Sequence, residues 1–211
     1  MRFLCISDVH GHAHALERVL AEGKERGYHQ LIVAGDHLFP GPAPLDTWKL
    51  LTQNHALCIQ GLTDAAVASV DPDSLNAATD HQKQRLERLV HFHEELGELI
   101  VARLARLKQQ ARLPLETGHE MVVVHGSPAD PTEPMSPDMN DDEINALLAD
   151  DPADIVICGA SHVPFQRQIG DVRVISVGSV GESPAHGFAH GTIVDATAFG
   201  TVSIEQFDVE L

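Results

Sequence analysis

The chain has 211 residues with 31 acidic and 14 basic side chains, so its formal net charge is −17. General binding to nucleic acid or to an anionic membrane surface is therefore excluded, because both need a basic protein surface. Hydrophobic residues make up 43% of the chain, which is typical of a globular protein and not of a disordered one. The 14 histidines of so acidic a chain raise the question of metal binding.

The cysteines and the apolar segments indicate the cellular location of the protein. Cys5, Cys58 and Cys158 each lie in a short apolar run, which favours reduced, buried thiols. The N-terminal apolar run is too short for a signal peptide, and no apolar stretch reaches the length of a membrane span. We therefore expect a cytoplasmic protein without membrane association.

Short, β-branched apolar segments bounded by Gly, Asp or Pro predict eight buried strands. These lie at residues 2–7, 30–34, 56–60, 121–125, 154–158, 172–177, 191–195 and 202–207. Apolar residues at helical spacing predict helices at residues 14–26, 44–52, 80–112 and 140–149. Strands and helices alternate in the first part of the chain, as in a layered α/β fold, and the closely spaced C-terminal strands predict an antiparallel or mixed part of the sheet.

Residues 65–113 interrupt this alternation, so we predict a single domain over 1–211 with a helical insertion at about 65–113. Gly97 is a candidate break in the long helix. The apolar stripe of this helix is expected to pack on the sheet, and a dimer face or a lid over a site is the alternative. The stripe consists of Leu86, Leu89, Val90, Leu96, Leu99, Ile100, Leu104 and Leu107.

Polar residues follow five of the predicted strands, at the edge where open α/β sheets bind ligands. The five groups are residues 7–11, 35–37, 61–64, 125–128 and 159–162. Each contains an Asp or a His, and carboxylate oxygen with imidazole nitrogen suits Mn, Fe, Zn or Ni better than Ca or Mg alone. Asp8 and His10 can turn toward one ion, and Asp36 can reach that ion and bridge to a second.

The order of these motifs resembles that of the calcineurin-like metallophosphoesterases, in particular their small bacterial members, over nearly the whole chain. The family pattern runs D-x-H, G-D, G-N-H-D/E, H-G and G-H-T-H. Its matching residues here are Asp8, His10, Asp36, His125 and His162. The resemblance implies a four-layer αββα sandwich of mixed sheets with outer helices, which is an α/β (α+β) fold. It also implies a two-metal centre at one rim and phosphoester hydrolysis through a metal-bound water.

Three residues depart from the family pattern. Leu62 replaces an asparagine that ligates the second metal in the family, and Ala160 replaces a histidine that does the same. Thr63 replaces the histidine that stabilises or protonates the leaving group. We therefore expect one tightly bound divalent ion, Mn²⁺ being favoured among the candidate metals, and a second ion that is weak or absent. The tight site consists of Asp8, His10, Asp36 and His162. The second metal site keeps only His125 and Asp36, which the two sites share.

Two further residues are candidates for the site. Asp64 is a possible metal ligand, although its family counterpart orients the histidine that is absent here. His37 directly follows Asp36 and is a candidate acid or ligand, with an ordinary supporting histidine as the alternative. Asp36, His125 and His37 are the predicted catalytic residues, and the predicted metal ligands are Asp8, His10, Asp36, Asp64, His125 and His162.

Two functions remain open at this point. The first is a phosphoesterase or phosphatase that hydrolyses a small soluble phosphomonoester, phosphodiester or nucleotide. The second is a weak or inactive family member that serves as a protein-interaction scaffold, with a homo-oligomer or a protein partner bound through the helical insertion. Residues 113–166 contain 11 acidic and no basic side chains. Binding of an anionic substrate would therefore depend on positive charge from the metal, from the basic helical insertion and from Arg167.

Overall fold

The computed structural model of the chain describes residues 1–71, 79–148, 150, 153–197 and 200–211. Within these ranges the chain forms ten strands and five helices. The strands are β1 (Arg2–Ile6), β2 (Gln30–Val33), β3 (Leu57–Cys58), β4 (Gln110–Pro114), β5 (Glu120–Val124), β6 (Ile155–Cys158), β7 (Pro164–Ile169), β8 (Val172–Val177), β9 (Phe188–Asp195) and β10 (Ser203–Glu210). The helices are α1 (Ala13–Arg26), α2 (Pro44–Gln53), α3 (Leu62–Ser69), α4 (Asp80–Leu104) and α5 (Asp141–Leu148).

The strands form two five-stranded mixed sheets. The first has the order β10-β9-β1-β2-β3 and the second the order β4-β5-β6-β8-β7. In the first sheet β1, β2 and β3 run parallel, and in the second β5, β6 and β8 do. The remaining pairs are antiparallel: β1 with β9, β9 with β10, β4 with β5, and β7 with β8. Both sheets are thus mixed, as expected for the closely spaced C-terminal segments.

The sheets pack face to face because their central strands carry apolar residues on both faces. Phe3 and Cys5 of β1 lie in the core between the sheets, opposite Val123 of β5. On the outer side of the first sheet, β1 packs against α1, and on the outer side of the second sheet the strands pack against α5. This arrangement confirms the predicted four-layer αββα sandwich.

The long helix differs from its prediction in where it ends, in what its apolar side packs against and in the phase of its apolar stripe. It ends at Leu104, and residues 110–112 belong to β4, whose edge position in the second sheet the sequence pattern does not reveal. Its apolar side packs in a separate cluster with Val67 of α3 and Leu38, not on the sheet. Gly97 breaks the helix as predicted, with φ 71° and ψ 160°, and this break changes the phase of the stripe so that Leu99 is 72% exposed.

The remaining differences are smaller. Strand β7 and helix α3 were not predicted, and the predicted strand at 56–60 is reduced to the two residues of β3. Residues 72–78 of the predicted insertion and Ala149 at the predicted end of α5 lie outside the described residues. Cys5 and Cys158 are buried free thiols, and Cys58 is half-buried. In the described part of the chain, no helix combines the length and the apolar character needed to cross a bilayer.

Candidate metal centre

The carboxyl ends of four parallel strands meet at one rim of the sandwich. Asp8 and His10 follow β1, Asp36 follows β2, His125 follows β5 and His162 follows β6. Backbone hydrogen bonds hold these loops together, since Asp8 N donates to Gly35 O and His10 N donates to Asp36 O. The structure therefore brings five of the residues predicted from the sequence to one place.

The side-chain atoms of these residues form two overlapping groups that could each hold a metal ion. One consists of Asp8, His10 and His162, and the other of Asp8, Asp36 and His125, with ligand atoms within 4.8 Å of one another. His162 Nε2 lies 3.2 Å and His10 Nε2 3.7 Å from Asp8 Oδ1. Asp36 Oδ2 lies 3.9 Å from His10 Nε2 and 3.5 Å from His125 Nε2, so Asp36 of the second group also borders the first, and Asp8 belongs to both.

The three imidazoles are oriented in the same way by the backbone. His10 Nδ1 lies 2.5 Å from the carbonyl oxygen of Phe39, and His125 Nδ1 lies 2.8 Å from that of Ala34. His162 Nδ1 lies 3.1 Å from the carbonyl oxygen of Glu182. A carbonyl can only accept, so each Nδ1 donates its proton and each Nε2 is left to face the carboxylates, as in metal-ligating histidines.

Two buried atoms of the ligand groups form no hydrogen bond with any described residue. These are Asp8 Oδ1 and His10 Nε2, and both side chains are buried. Leaving such groups unpaired is costly, because their lost hydration is not replaced. Both point into the space between the ligand groups, so the residues present fit a divalent cation that accepts oxygen and nitrogen ligands.

The electrostatics of the site also fit a cation. Burial alone would lower the pKa of His10, but Asp8 and Asp36 outweigh burial and raise this pKa to about 9. His125 follows the same rule, since Asp36 and Asp8 outweigh burial and raise its pKa to about 9. For Asp8, burial would raise the pKa, whereas His10 and His162 hold it well below its ordinary range. Without metal, the carboxylates thus retain protons on the imidazoles, and metal binding has to release them.

Backbone strain is concentrated at this rim. Six non-glycine residues of the described chain have positive φ, and five of these belong to the motifs of the site. They are Asp8, His10, Asp36, Ala160 and His162, with φ between 47° and 59°. Such conformations cost free energy and persist at functional sites, where the surrounding structure imposes them.

Gly61 is required by the close approach of Asp36. A Cβ at this position would lie 2.2 Å from Asp36 Oδ1 and 2.3 Å from its backbone nitrogen. The backbone φ of Gly61 is −97°, so the requirement comes from contact and not from the conformation of the glycine. The absence of a side chain therefore allows the loop before α3 to pack on the ligand-bearing loop.

Asp64 and His37 lie beneath the site and not among the ligand atoms. Asp64 Oδ2 accepts hydrogen bonds from the backbone nitrogens of Asp36 and Gly61 and lies 2.7 Å from His37 Nδ1. Its other oxygen accepts from the backbone nitrogen of His37. Both side chains are fully buried. The prediction of Asp64 as a ligand and of His37 as an acid or ligand does not fit this arrangement. Both oxygens of Asp64 accept hydrogen bonds from His37 or the backbone, and His37 Nδ1 is held by Asp64, whereas His37 Nε2 is buried without a hydrogen-bond partner among the described residues.

The three departures from the family pattern lie in two segments that border the site, the start of α3 and the loop after β6. Leu62 is 52% exposed at the start of α3, and it carries no ligand atom. Thr63 donates its backbone N–H to Asp36 Oδ1, and its Oγ1 is buried without a partner among the described residues. Ala160 donates its backbone N–H to Asp8 Oδ2, so the residue still orients a ligand although its side chain cannot be one.

Sequence reasoning missed Glu182. Its Oε2 lies 3.8 Å from His10 Nε2, and its side chain is 40% exposed. Glu182 follows the turn after β8, whose Ser179 Oγ accepts from the backbone nitrogen of Glu182 and donates to Asp8 O. The available signal was the Gly-Ser-Val-Gly segment directly before it, which approaches the first metal motif.

Arg167 does not point to the rim. Its guanidinium donates to the backbone carbonyl oxygens of Met139 and Pro137 and lies 3.7 Å from Asp141 Oδ1. It therefore stabilises the loop before α5, and the expectation that it assists substrate binding is wrong in this structure.

The sequence model of the calcineurin-like phosphoesterase superfamily domain matches residues 1–198. Solved structures with a similar fold include a hypothetical protein from Pyrococcus horikoshii OT3, with 24% identity and a TM-score of 0.82, over 99% of this chain and 88% of that one. A metallophosphoesterase from Sphaerobacter thermophilus is 20% identical, with a TM-score of 0.78 over 98% and 88% of the two chains. The phosphoesterase Yfce from E. coli is 19% identical, with a TM-score of 0.57 over 92% and 88%. The comparison with curated proteins gives no match.

Proposed function

Since this chain belongs to the calcineurin-like phosphoesterase superfamily, we propose that it is a metal-dependent hydrolase of a small phosphorylated substrate. The substrate class comprises phosphomonoesters, phosphodiesters and nucleotides. The proposal is supported above all by the common orientation of His10, His125 and His162, whose Nε2 atoms face the carboxylates of Asp8 and Asp36. We further propose a cytoplasmic location, which the free cysteines favour.

Asp8, His10, Asp36 and His162 are proposed to hold one divalent cation tightly, with Mn²⁺ favoured. When bound, such a cation offsets the charge of a phosphoryl group and lowers the pKa of water. The protein contributes the fixed geometry: the Phe39 and Glu182 carbonyls hold the rings of His10 and His162, and Ala160 N–H holds the carboxylate of Asp8. A second cation near Asp36 and His125 would be weak, because neither Leu62 nor Ala160 supplies a ligand atom.

His125 is proposed to contact the substrate phosphate or to support the second cation. Its Nε2 lies 3.5 Å from Asp36 Oδ2, and in the metal-free protein Asp36 and Asp8 outweigh burial and raise its pKa to about 9. His37 lacks this role because its ring is fully buried against Asp64. Thr63 cannot act as an acid at neutral pH, so the leaving group has to depart without the proton donor that the family provides at this position.

The test is hydrolysis of p-nitrophenyl phosphate and bis-p-nitrophenyl phosphate with Mn²⁺, compared between wild-type protein and Asp36→Asn. We expect activity that is lost in Asp36→Asn and retained in Asp171→Asn, a matched change of an exposed aspartate outside the site. Equal activity in wild type and Asp36→Asn would contradict the proposal, because it would come from a contaminant.

A second candidate function is a non-catalytic scaffold that binds a protein partner. Leu62 and Ala160 stand in place of two ligands of the second metal, and Thr63 stands in place of the leaving-group histidine; these losses favour it. The same assay separates the two functions: no hydrolysis of either ester by protein that is shown to contain metal would favour the scaffold.

A further inference from the structure

The first half of α4 lies across the mouth of the metal centre. A cavity of about 410 Å³ separates them. His10, Thr63 and Glu182 line the side of the cavity at the metal centre, and His81, Arg85 and Arg88 of α4 line the opposite side. This volume is within the range of small-molecule sites and leaves room for more of a ligand than the group held by the ligand atoms.

The α4 side of this cavity has a single sign of charge. Residues 81, 85 and 88 follow the i, i+4, i+7 spacing of one helix face, so His81, Arg85 and Arg88 point the same way. Lys83 and Glu87 form an exposed pair at 3.9 Å and do not line the cavity. Within the described part of the chain, neither Arg85 nor Arg88 forms an ion pair. Two guanidinium groups without counter-ions among the described residues thus line the cavity that adjoins the metal centre.

Thr63 adds a second and independent observation. Its Oγ1 is buried, has no partner among the described residues, and belongs to a residue that lines the same cavity. A buried hydroxyl without a partner costs free energy unless a ligand completes it. A phosphate oxygen would accept its proton, as it would accept the paired N–H groups of an arginine.

We propose that Arg85, Arg88 and Thr63 form a subsite for a second anionic group of the substrate. This inference rests on the proposed function and specifies its substrate class: phosphoesters with a second phosphate, such as pyrophosphate-containing nucleotides or bisphosphates. In a chain of net charge −17, an isolated cationic face stands out, and arginine matches phosphate geometry better than lysine does. Glu182 Oε2 lies 3.8 Å from His10 Nε2, so its carboxylate disfavours a second anion beside His10.

The experiment is calorimetric titration of inorganic phosphate and inorganic pyrophosphate into the Mn²⁺-loaded protein, each at the same free Mn²⁺ concentration. We expect wild-type protein to bind pyrophosphate at least about tenfold more tightly than phosphate, since charge-assisted hydrogen bonds of this kind are worth that factor. In Arg85→Gln/Arg88→Gln the ratio of the two dissociation constants should fall to within about threefold. Thr63→Val should lower the ratio by a smaller factor.

Lys83→Gln is the matched control, because it removes one positive charge from the same exposed helix outside the cavity, and it should keep the wild-type ratio. A wild-type ratio near one, or an unchanged ratio in Arg85→Gln/Arg88→Gln, would overturn the subsite. The titration needs no turnover. Failure of the ester assay would therefore contradict the proposed hydrolase without affecting the titration. If the protein is active but Arg85→Gln/Arg88→Gln keeps the wild-type ratio of dissociation constants, only the subsite is contradicted.

Discussion

His37 Nδ1 lies 2.7 Å from Oδ2 of Asp64, and both side chains are fully buried beneath the metal centre. Because Asp64 also accepts hydrogen bonds from three backbone nitrogens, this pair connects the end of β2 to the start of α3. The position of Asp36, which follows β2 and borders both ligand groups, depends on this connection. The pair is therefore a support of the site whose loss can be measured as stability.

Replacing Asp64 with asparagine should strongly destabilise the protein. One partner of a buried ion pair is lost and His37 is left without its counter-charge, a change that costs about 3–5 kcal/mol of unfolding free energy in comparable cases. The measurement is denaturant unfolding of the metal-free protein. Asp138→Asn, an exposed matched change, should cost less than about 0.5 kcal/mol. Equal stabilities of the two variants would contradict the supporting role.

The same pair should give the metal-free protein a characteristic dependence of stability on pH. Burial would lower the pKa of His37, but Asp64 outweighs burial and raises it well above 6.5. This contribution is complete below pH 6.5 and is lost as pH rises through the raised pKa. Burial would raise the pKa of Asp64, but His37 outweighs burial and lowers it below 3.8, so its contribution is complete above pH 3.8 and is lost as pH falls through the lowered pKa.

The stability difference between wild type and Asp64→Asn should therefore be largest between these two ordinary pKa values and should shrink on either side. Urea unfolding in the presence of a chelator, repeated across pH, measures this difference. A difference that keeps growing through alkaline pH has the wrong sign and would show that His37 is neutral in the folded protein.

Single ligand substitutions should affect metal content unequally. We expect wild-type protein to retain about one ion after dialysis, since the tight site keeps its oxygen and nitrogen ligands. His162→Ala should lose this ion, whereas His125→Ala should retain it, because His125 lies at the other group. Elemental analysis measures the content, with exposed His186→Ala as control. Complete loss of metal from His125→Ala would contradict the division into a tight and a weak site.

Restoring family residues should create a second tight site. Leu62→Asn removes no core packing because Leu62 is 52% exposed, and histidine tolerates the positive φ of Ala160 better than most residues do. The double variant Leu62→Asn/Ala160→His should bind about one ion more than wild type, by the ligand count expected of such sites. Leu99→Asn, at another exposed leucine, should leave the metal content unchanged. An unchanged content in the double variant would mean that the second site is limited by geometry and not by ligands.

The sequence predicted the layers of the fold better than its edges. Buried strands such as β1 and β5 show continuous apolar runs that the alternation with helices explains. β4 and β7 are edge strands of the second sheet, half-exposed and polar, so their pattern resembles that of loops or helices. The stripe of α4 could not be placed from the sequence, because its partners Leu38 and Val67 lie far away in the chain.

Residues of the site could be predicted from the sequence where a residue type that can ligate a metal directly follows a predicted strand. Asp8 and His10 satisfy both conditions, and the structure brings them together with Asp36, His125 and His162. Asp64 satisfies them as well, yet it faces backbone nitrogens, and the direction of a side chain cannot be read from its spacing. The two arginines of α4 show only a helical periodicity, and only the tertiary packing reveals that this face lies across the centre.

Gly61 offers a test of how closely the metal centre depends on packing. Alanine at this position would place a Cβ 2.2 Å from Asp36 Oδ1, so Asp36 or the start of α3 has to move. Because the φ of Gly61 is −97°, the backbone itself is not strained by the change. We expect Gly61→Ala to lose metal affinity by at least about tenfold, as displaced ligand contacts typically cost this much.

Gly118→Ala is the informative control for this prediction. Its φ of 87° is unfavourable for alanine, but an added Cβ would have no neighbour within 4 Å. It should therefore lower the unfolding free energy by about 1 kcal/mol without changing metal affinity. Titration of Mn²⁺ and denaturant unfolding of both variants separate the two effects. If Gly61→Ala lost stability but bound Mn²⁺ as wild type does, Asp36 would be free to move without consequence, and its proposed place bordering both ligand groups would be wrong.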